Sequence, residues 1–558
     1  MRNRNYRWMA LGLAVVLALS GCAGGSGKGA AGETGAASEN TANGAGGTAG
    51  ENTAGGAAGG DTAGGNTAGG NAAGGNTGGN TAGDAAGGNT GAGAGSAHET
   101  AATLTVNGIP ADVTAYSLDD GSCYYKLEDM AALLDFSLTG GAAGSGAAID
   151  TAAHYKPDPK KLITGNWAPA TRQRIQAVID ANADQGRYVC FDLDNTMVIN
   201  DMGEALLVYQ IENLRFALTP DNIADVITTN ITDLKSPIGQ TVDGKDVSTE
   251  DVVTDIVSDY TWLYENYKGF PAGGQYDLDY IHASAQYQDF AAKLFFLYYF
   301  GGHTYDASVV YPWVGHLFTG MTPDEVHALA TDAHTYWSNY NRFAEESWTS
   351  PVNMPGKAGV VSITYRTGVV FLEEVVDLYQ TLRANGIDIY VISGSFVDSI
   401  RAASDLFGYG LEDDHIFGMR NVLDSDGRYL NEYNYNWGGN GLYPQTHSEG
   451  KSIAITNFIA PAHGGQGPLM VFGDGNGDWD MMTGWMEKGD TVLGVLFNRY
   501  RSTNDRTWKG ACEAVENIGK PDARFVLQGR DENKGCLRPS EKSILLGGTE
   551  EVLVRPAQ

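Results

Sequence analysis

Two aspartates two positions apart, Asp192 and Asp194, directly follow an apolar run at 188–191. Carboxylates at the end of a buried strand can divide the work of phosphoryl transfer. One attacks phosphorus, and the other gives a proton to the leaving oxygen and later takes one from water. The alternative is a solvated turn, because acidic residues two apart often end a strand in solvent. The pair indicates a phosphoryl-transfer site only if the other residues of such a site follow along the chain.

A hydroxyl group and a lysine come next in chain order. Ser393 and Gly394 end a strand-like run at 389–392 and offer a hydroxyl and backbone N–H groups to a phosphoryl oxygen. Lys451 opens a helical pattern, where a cation would neutralise phosphate charge and steady an aspartate nucleophile. A P-loop is excluded at this lysine, because Gln445 occupies the position of its first glycine.

Two more carboxylates, Asp474 and Asp478, follow an apolar run at 469–472. Carboxylates gathered at a strand end suit a cation that prefers oxygen ligands, most simply Mg²⁺. A calcium EF-hand is excluded, because Trp479 and Trp485 stand where its loop requires Gly and Glu.

The elements that must position these residues alternate between strands and helices. Strand-like runs occur at 188–192, 387–393, 468–473 and 491–497, with helical patterns such as 371–382 between them. This alternation predicts an α/β fold with a doubly wound parallel, Rossmann-like sheet. The reactive groups of such a sheet gather at the carboxyl ends of its strands.

A large, mainly helical cap is predicted at 197–368, inserted after the first strand into a core made of 157–196 and 369–545. The interval is rich in Tyr, Trp and Phe. Its apolar stretch at 290–300 is too short to span a membrane and contains Lys293, so it is predicted to be a buried cap helix.

The whole chain has 558 residues, a formal net charge of −31 and 42% hydrophobic residues. Two or three units with a sizeable core are expected at this length. The acidic balance argues against a nucleic-acid partner, which requires a basic face. The cysteines lack C-x-x-C spacing, which disfavours zinc. Whether Cys512 and Cys536 form a disulfide stays open.

The first 22 residues have the pattern of an export signal. Three arginines within the first seven residues precede an apolar stretch at 9–20. Residues 19–22 resemble the lipobox of bacterial lipoproteins, which implies that Cys22 carries a lipid. That lipid would anchor the chain at the extracellular face of the bacterial cell membrane. An ordinary cleaved signal with a cysteine next to it is the alternative.

Between this signal and the core lie a linker and a small module. Residues 23–98 are a low-complexity run of Gly, Ala, Asn and Thr and are predicted to be disordered. As a Gly-rich coil this linker would span roughly 45–50 Å, enough to reach into the cell wall. Residues 99–150 are predicted to form short strands and a helix. They resemble the bacterial surface repeat named after the N-terminal domain of copper amine oxidases, and their role stays open.

Taken in order, the motifs resemble the haloacid dehalogenase superfamily in its phosphoserine-phosphatase-like branch, over residues 160–530. The resemblance implies that Asp192 is the nucleophile and Asp194 the acid/base residue. It also implies that Asp192, the backbone carbonyl of Asp194 and Asp474 ligate Mg²⁺. Asp478 fits the last acidic position of the motif.

The same resemblance implies that Ser393 and Gly394 bind phosphate and that Lys451 fills the family lysine position. One departure is Gly477, where close relatives often carry Asn, and it leaves the outer half of the metal site less defined.

A narrower resemblance is to bacterial phosphorylcholine phosphatases, carried by residues 201–207, 311–320 and 385–393. It implies substrate-binding roles for Glu204 and Trp313, since aromatic faces and a carboxylate are what a trimethylammonium group requires. The family often has two adjacent acids here, whereas Gly203 precedes Glu204 in this chain. Choline selectivity is therefore an open question.

The sequence thus predicts a lipid-anchored, Mg²⁺-dependent phosphomonoester hydrolase that works through an aspartyl-phosphate. Its predicted substrate is phosphorylcholine or a related small phosphate ester. The alternatives are a non-catalytic choline-binding lipoprotein, transfer of phosphate to an acceptor other than water, and a phosphatase for another small metabolite such as phosphoserine.

Overall fold

The computed structural model describes residues 98–106, 109–118, 123–134, 136–140, 147–150, 156, 158–439 and 441–557. The predicted signal peptide and lipobox with Cys22 lie outside the described residues, and so does the predicted linker except for His98. Within the described ranges, no helix is both long enough and apolar enough to cross a membrane.

The chain from His98 onward forms two compact units, which divide between Lys126 and Leu127. The first unit is an antiparallel sheet of three strands, which are His98–Val106, Ile109–Ser117 and Cys123–Tyr125. The second unit begins with a helix and a hairpin, which are Leu127–Leu134, Ser137–Gly140 and Ala147–Asp150. The division falls inside the stretch 99–150 that the sequence presents as one module.

Six parallel strands form the central sheet of the second unit, in the order β3-β2-β1-β4-β5-β6. They are β1 Tyr188–Phe191, β2 Asp388–Phe396, β3 Ile416–Met419, β4 Met470–Gly473, β5 Leu493–Phe497 and β6 Phe525–Gln528. Nearly all their side chains are buried, as expected for a parallel sheet covered on both faces. The order is that of the doubly wound Rossmann fold, so the predicted fold class is confirmed.

Helices cover this sheet, and the apolar pattern of the sequence explains how they pack. The helix predicted from residues 371–382 runs over Glu373–Ala384, and it buries Val375, Leu378 and Leu382 on one face. The other core helices are Pro169–Asn182, Val397–Phe407, Glu449–Ala454, Trp479–Thr483 and Thr507–Glu516. Short 3₁₀ turns lie at Asp413–His415, Ala460–His463 and Asn476–Asp478, and a π-helical turn lies at Ile455–Ile459.

The cap leaves and re-enters the core through two short strands, Val198–Ile199 and Val370–Phe371, which pair with each other antiparallel. Its helices are Met202–Glu212, Ile223–Ile227, Thr249–Asn266, Leu278–His282, Ala285–Thr304, Ala307–Val310, Trp313–His316 and Pro323–Asn339. Two hairpins complete it, Pro237–Gln240 with Asp246–Ser248, and Glu345–Thr349 with Ser362–Arg366.

The longest cap helix, Ala285–Thr304, contains the apolar stretch at 290–300 and buries most of it. Lys293 is fully buried in this helix, and its Nζ lies 2.8 Å from Asp255 Oδ2 and 2.6 Å from Asp289 Oδ2. A buried cation needs such partners, since an unpaired charge in the interior is very costly. The lysine that interrupts the apolar run therefore belongs to the cap interior.

Further strands extend the core beyond the central sheet. A hairpin of Asn421–Leu423 and Tyr429–Tyr433 turns at Gly427, which has a positive φ of 74°. After β6 the chain forms a small four-stranded sheet from Arg530–Asp531, Cys536–Leu537, Ser543–Ile544 and Glu551–Val552. The described cysteines, Cys512 and Cys536 among them, are free thiols.

Candidate active site

Asp192 lies at the carboxyl end of β1, where its backbone N–H still donates to the Phe472 carbonyl of β4 at 2.9 Å. The residue is only 6% exposed. One oxygen, Oδ1, accepts a hydrogen bond from Lys451 Nζ at 2.5 Å, and Oδ2 accepts one from the Thr196 hydroxyl at 3.3 Å. The first predicted aspartate is therefore a buried and oriented carboxylate, which excludes the solvated-turn alternative.

Lys451 lies in the first turn of the helix Glu449–Ala454, and its side chain is almost fully buried. Its Nζ bridges two carboxylates, because it also lies 2.7 Å from Asp478 Oδ1. Burial disfavours the charged ammonium, but Asp192 and Asp478 raise the pKa of Lys451 above its ordinary value. The site thus contains a permanent cation between two of its acids.

Asp194 takes part in a separate set of hydrogen bonds. Its Oδ1 accepts from the Met202 backbone N–H at 2.8 Å, and its Oδ2 accepts from the Ser395 hydroxyl at 2.6 Å. Burial and the neighbouring Asp201 raise the pKa of Asp194 to about 7. A carboxyl group with such a pKa can both give and take a proton near neutrality.

The carboxyl-terminal part of β2 carries Ser393, Gly394 and Ser395. Ser393 is fully buried, and its Oγ accepts the Ser395 backbone N–H at 3.0 Å and lies 3.4 Å from Asp194 Oδ2. Gly394 lies against Tyr311 of the cap, since an added Cβ would come within 3.3 Å of that ring. It also lines the cavity described below. Ser395 was not predicted as a site residue. Its position two residues after Ser393 on one strand could have identified it.

Asp474 and Asp478 follow β4 and join Asp192 in a buried cluster. Each of the three offers one oxygen, and these oxygens lie within 4.8 Å of one another. Asp478 Oδ2 accepts the backbone N–H groups of Asp474 and Gly475 at 2.9 and 3.2 Å, which fixes its direction. Three converging carboxylate oxygens fit a small divalent cation such as Mg²⁺. The Asp194 side chain lies outside this cluster, in keeping with a backbone role for that residue.

Two arginines that were not predicted hold Asp474. Arg499 Nη1 and Arg501 Nη2 lie 2.8 and 2.7 Å from its Oδ2. Burial alone would raise the pKa of Asp474, but Arg501 and Arg499 lower it to about 2. Both arginines follow β5, so the rule that reactive groups gather after parallel strands could have indicated them.

Arg530, directly after β6, is another residue that the sequence did not single out. Its Nη1 donates to the Asn195 carbonyl and its Nη2 to Asn195 Oδ1, both at 3.1 Å. Asn195 has a positive φ of 63°, a conformation that Asn tolerates better than most residues. Glu532 lies within 2.5 Å of the same guanidinium and balances its charge. This buried arginine therefore fixes the turn that carries Asp192 and Asp194.

A cavity of about 490 Å³ opens between these strand ends and the cap. The core contributes four acids and three cations to the cavity, which are Asp192, Asp194, Asp474, Asp478, Lys451, Arg499 and Arg501. The cap contributes two carboxylates and several aromatic side chains, among them Asp201, Glu204, Tyr298, Tyr299 and Tyr311. The Tyr311 ring stacks on His447 of the core at 3.9 Å between centroids, so cap and core meet directly beside Gly394.

Glu204 lies where the resemblance implies, in the first turn of a cap helix and against the cavity. Burial and Asp201 raise its pKa to about 7, and Arg366 and Arg499 lie close enough to oppose that rise. Beside it, a Cβ at Gly203 would come within 3.2 Å of the Ser395 hydroxyl. A larger residue at position 203 would therefore crowd the Ser395 hydroxyl, which donates to Asp194.

The prediction of Trp313 as a substrate-binding residue needs correction. Its side chain is 5% exposed, and its indole N–H donates to the Ile227 carbonyl at 2.9 Å. The ring packs behind Tyr298, with 6.0 Å between centroids, and does not line the cavity. Its neighbours Tyr311 and Val314 reach the cavity instead. Trp313 therefore supports Tyr298, which lines the cavity, from the cap interior.

Among curated proteins, the chain is similar to the phosphorylcholine phosphatase of Pseudomonas aeruginosa. The two are 25% identical over 333 residues, which cover 55% of this chain and 74% of the relative. No protein-family model matches the chain.

Among solved structures, the chain is similar to a conserved protein of unknown function from Anaerococcus prevotii. The sequence identity is 29% and the TM-score is 0.61, over 68% of this chain and 98% of that one. A substrate-bound phosphoserine phosphatase also matches, with 12% identity and a TM-score of 0.23 over 56% of this chain and 85% of that one. That likeness is too low to bear on the substrate of the present chain.

Proposed function

We propose that this HAD-like phosphatase hydrolyses small phosphomonoesters in two steps, through an acyl phosphate formed on Asp192. The proposal rests on one observation above all. A buried aspartate oxygen, held by Lys451 at 2.5 Å, and a second carboxyl with a pKa of about 7 line the same cavity. A protein that only binds its ligand would need neither a carboxylate oriented for attack, such as Asp192, nor a second carboxyl that exchanges protons near neutral pH, such as Asp194.

In the first step, a carboxylate oxygen of Asp192 forms a bond to phosphorus as the bond from phosphorus to the leaving oxygen breaks. Asp194 gives its proton to that leaving oxygen, and the alcohol departs. The Ser395 hydroxyl and the Met202 N–H keep the Asp194 carboxyl in a fixed orientation. The products of this step are the free alcohol and an aspartyl-phosphate.

In the second step, Asp194 takes a proton from a water molecule, which attacks phosphorus and releases inorganic phosphate. The bond between phosphorus and Asp192 breaks, and the carboxylate is restored. Asp194 is protonated again and ready for the next ester. The cap limits access of bulk water, since Tyr311 and His447 close one side of the cavity.

The negative charge on the transferring group requires compensation from fixed donors. Lys451 and backbone N–H groups near Ser393 and Gly394 would provide it from the core. Asp192, Asp474 and Asp478 would hold Mg²⁺ together with the Asp194 backbone carbonyl. When bound, the ion supplies further positive charge to the phosphoryl oxygens.

Phosphorylcholine is the first substrate that we propose. The relative from Pseudomonas aeruginosa carries that substrate in its name. In this chain, Glu204 and the faces of Tyr298, Tyr299 and Tyr311 offer a carboxylate and aromatic rings on the cap side of the cavity. A quaternary ammonium group is attracted by both. The phosphoryl end would then point to Asp192.

The test is release of inorganic phosphate from phosphorylcholine, phosphoserine and p-nitrophenyl phosphate, with Mg²⁺ and with EDTA. We expect turnover of phosphorylcholine and p-nitrophenyl phosphate with Mg²⁺ and a loss of at least about 100-fold with EDTA. Absence of phosphate release from all three esters would refute the proposed hydrolysis. Phosphoserine turnover above that of phosphorylcholine would refute the proposed substrate and leave the two-step chemistry intact.

Glu204→Gln is expected to reduce kcat/KM for phosphorylcholine by about 10-fold or more, because a neutral amide attracts an ammonium group far less than a carboxylate does. For p-nitrophenyl phosphate, which lacks an ammonium group, kcat/KM should change by less than about 3-fold. Steady-state kinetics on both substrates measure this difference.

Glu212→Gln is the matched control, since Glu212 ends the same helix, is partly buried and lies away from the cavity. This variant should leave the ratio between the two substrates unchanged. Equal losses on both substrates for Glu204→Gln would show that Glu204 has no part in recognising the ammonium group.

A further inference from the structure

Asp474 is the acid of the buried cluster whose side chain is held entirely by arginines. Both guanidinium groups donate to the same oxygen, Oδ2, and Arg501 Nε also donates to the Asp474 carbonyl at 3.2 Å. Among the described residues, none donates a hydrogen bond to Oδ1 of this carboxylate. The two arginines therefore fix the rotation of the carboxylate and leave one oxygen for another partner.

The other two acids of the cluster are fixed by different groups. Lys451 holds one oxygen each of Asp192 and Asp478, and backbone N–H groups hold the second oxygen of Asp478. Each acid thus has an orienting donor, and the donors to Asp474 are Arg499 and Arg501. Partners of this kind commonly control how firmly a metal is bound, because they aim the ligand atoms.

We propose that Arg499 and Arg501 are positioning residues that aim Asp474 at the metal and so set the affinity for Mg²⁺. This inference rests on the metal site of the proposed function. It assigns to the pair no contact with the substrate and no part in proton transfer.

The opposing possibility is that two cations beside a divalent ion repel it. Each arginine has acidic neighbours besides Asp474, which reduces this repulsion. Arg501 Nε lies 3.7 Å from Asp505 Oδ2, and Arg499 interacts with Asp201 and Glu204 across the cavity wall. These acids offset part of the positive charge beside the metal site. Orientation is therefore expected to outweigh repulsion.

The loop that carries the arginines is itself held in place by the end of the chain. Asn498 Nδ2 donates to the Leu553 carbonyl at 2.8 Å, and Arg555 Nε donates to the Tyr500 carbonyl at 2.8 Å. Tyr500, between the two arginines, has a positive φ of 53°. A loop so constrained presents both guanidinium groups in one fixed arrangement.

The test is calorimetric titration of Mg²⁺ into the substrate-free protein, for the wild type, Arg501→Gln and Arg501→Lys. We expect both variants to bind Mg²⁺ about 10- to 100-fold more weakly. Lysine keeps the charge but lacks the planar guanidinium, through which Arg501 donates to Oδ2 from Nη2 and to the backbone carbonyl from Nε, so it separates geometry from charge. Arg428→Gln is the control, since Arg428 is a half-exposed arginine paired with Glu325 away from the cavity. Its Mg²⁺ affinity should equal that of the wild type.

Tighter binding by Arg501→Gln would show that repulsion dominates and would overturn the proposal. Unchanged affinity in either Arg501 variant would do the same. If Arg501 acts only by orienting Asp474, to which it donates, the kcat of both variants at saturating Mg²⁺ should recover to within about 3-fold of wild type. A kcat that stays low there would assign Arg501 to the substrate instead. Failure of the proposed hydrolysis is distinguishable, because it would appear as an inactive wild type whatever the arginine variants bind.

Discussion

Asp192→Asn is expected to lower phosphate release by at least about 1,000-fold on every substrate, because an amide cannot attack phosphorus as a carboxylate does. Wild-type protein quenched in acid during turnover should carry a covalent phosphate that mass spectrometry locates on Asp192. The variant should carry none. Its thermal unfolding should remain close to that of the wild type, since Lys451 keeps Asp478 as a partner and one of several crowded carboxylates becomes neutral.

Asp480→Asn is the matched control for this substitution. Asp480 lies nearby and pairs with Arg506, but it takes no part in the carboxylate cluster. It should keep at least about half of the wild-type rate, as expected for a surface change. An active Asp192→Asn variant would refute the nucleophile assignment. A wild type that turns over while carrying no covalent phosphate would instead favour direct attack by water.

Lys451→Met should weaken both catalysis and folding. The substitution leaves Asp192 and Asp478 buried without their cation, and breaking a buried pair in this way costs about 3–5 kcal/mol. We expect the free energy of unfolding in EDTA to fall by about that amount. Saturating Mg²⁺ should restore more stability to this variant than it adds to the wild type, because it supplies charge to the same acids. The kcat should stay at least about 100-fold low.

Lys293→Met in the cap is the control, because Lys293 is equally buried and also bridges two aspartates. It should lose similar stability in urea unfolding, but Mg²⁺ should not restore it, and kcat below the unfolding transition should be near that of the wild type. The interpretation of Lys451 fails if its variant keeps full activity. It also fails if Mg²⁺ stabilises both lysine variants equally.

The sequence was a good guide to the short polar side chains that follow buried strands. Asp192, Ser393 and Asp474 each end an apolar run, and a parallel sheet brings such ends to one edge. Their convergence could therefore be foreseen from four runs and their order. The general location of Lys451 followed from its place in that order, although its bridge between two carboxylates did not.

Apart from Ser395, the residues that escaped prediction act through long, flexible side chains. Arg499, Arg501 and Arg530 also follow strands, but an arginine at a strand end is ordinarily solvated, and nothing in its spacing shows which acid it will meet. Trp313 illustrates the opposite error. It lies in a four-residue cap helix, too short for a periodic pattern to show which side chains face the cavity.

The pairing of Val198–Ile199 with Val370–Phe371 has a consequence for how such enzymes diversify. Because the two strands lie side by side, a short turn could in principle join Ile199 to Val370 without moving either neighbour. A segment attached at such a junction can be lengthened, shortened or exchanged by recombination while the catalytic edge keeps its geometry. Descendants of one ancestral hydrolase could in this way become specific for different leaving groups by exchanging the inserted segment, while their catalytic residues stay the same.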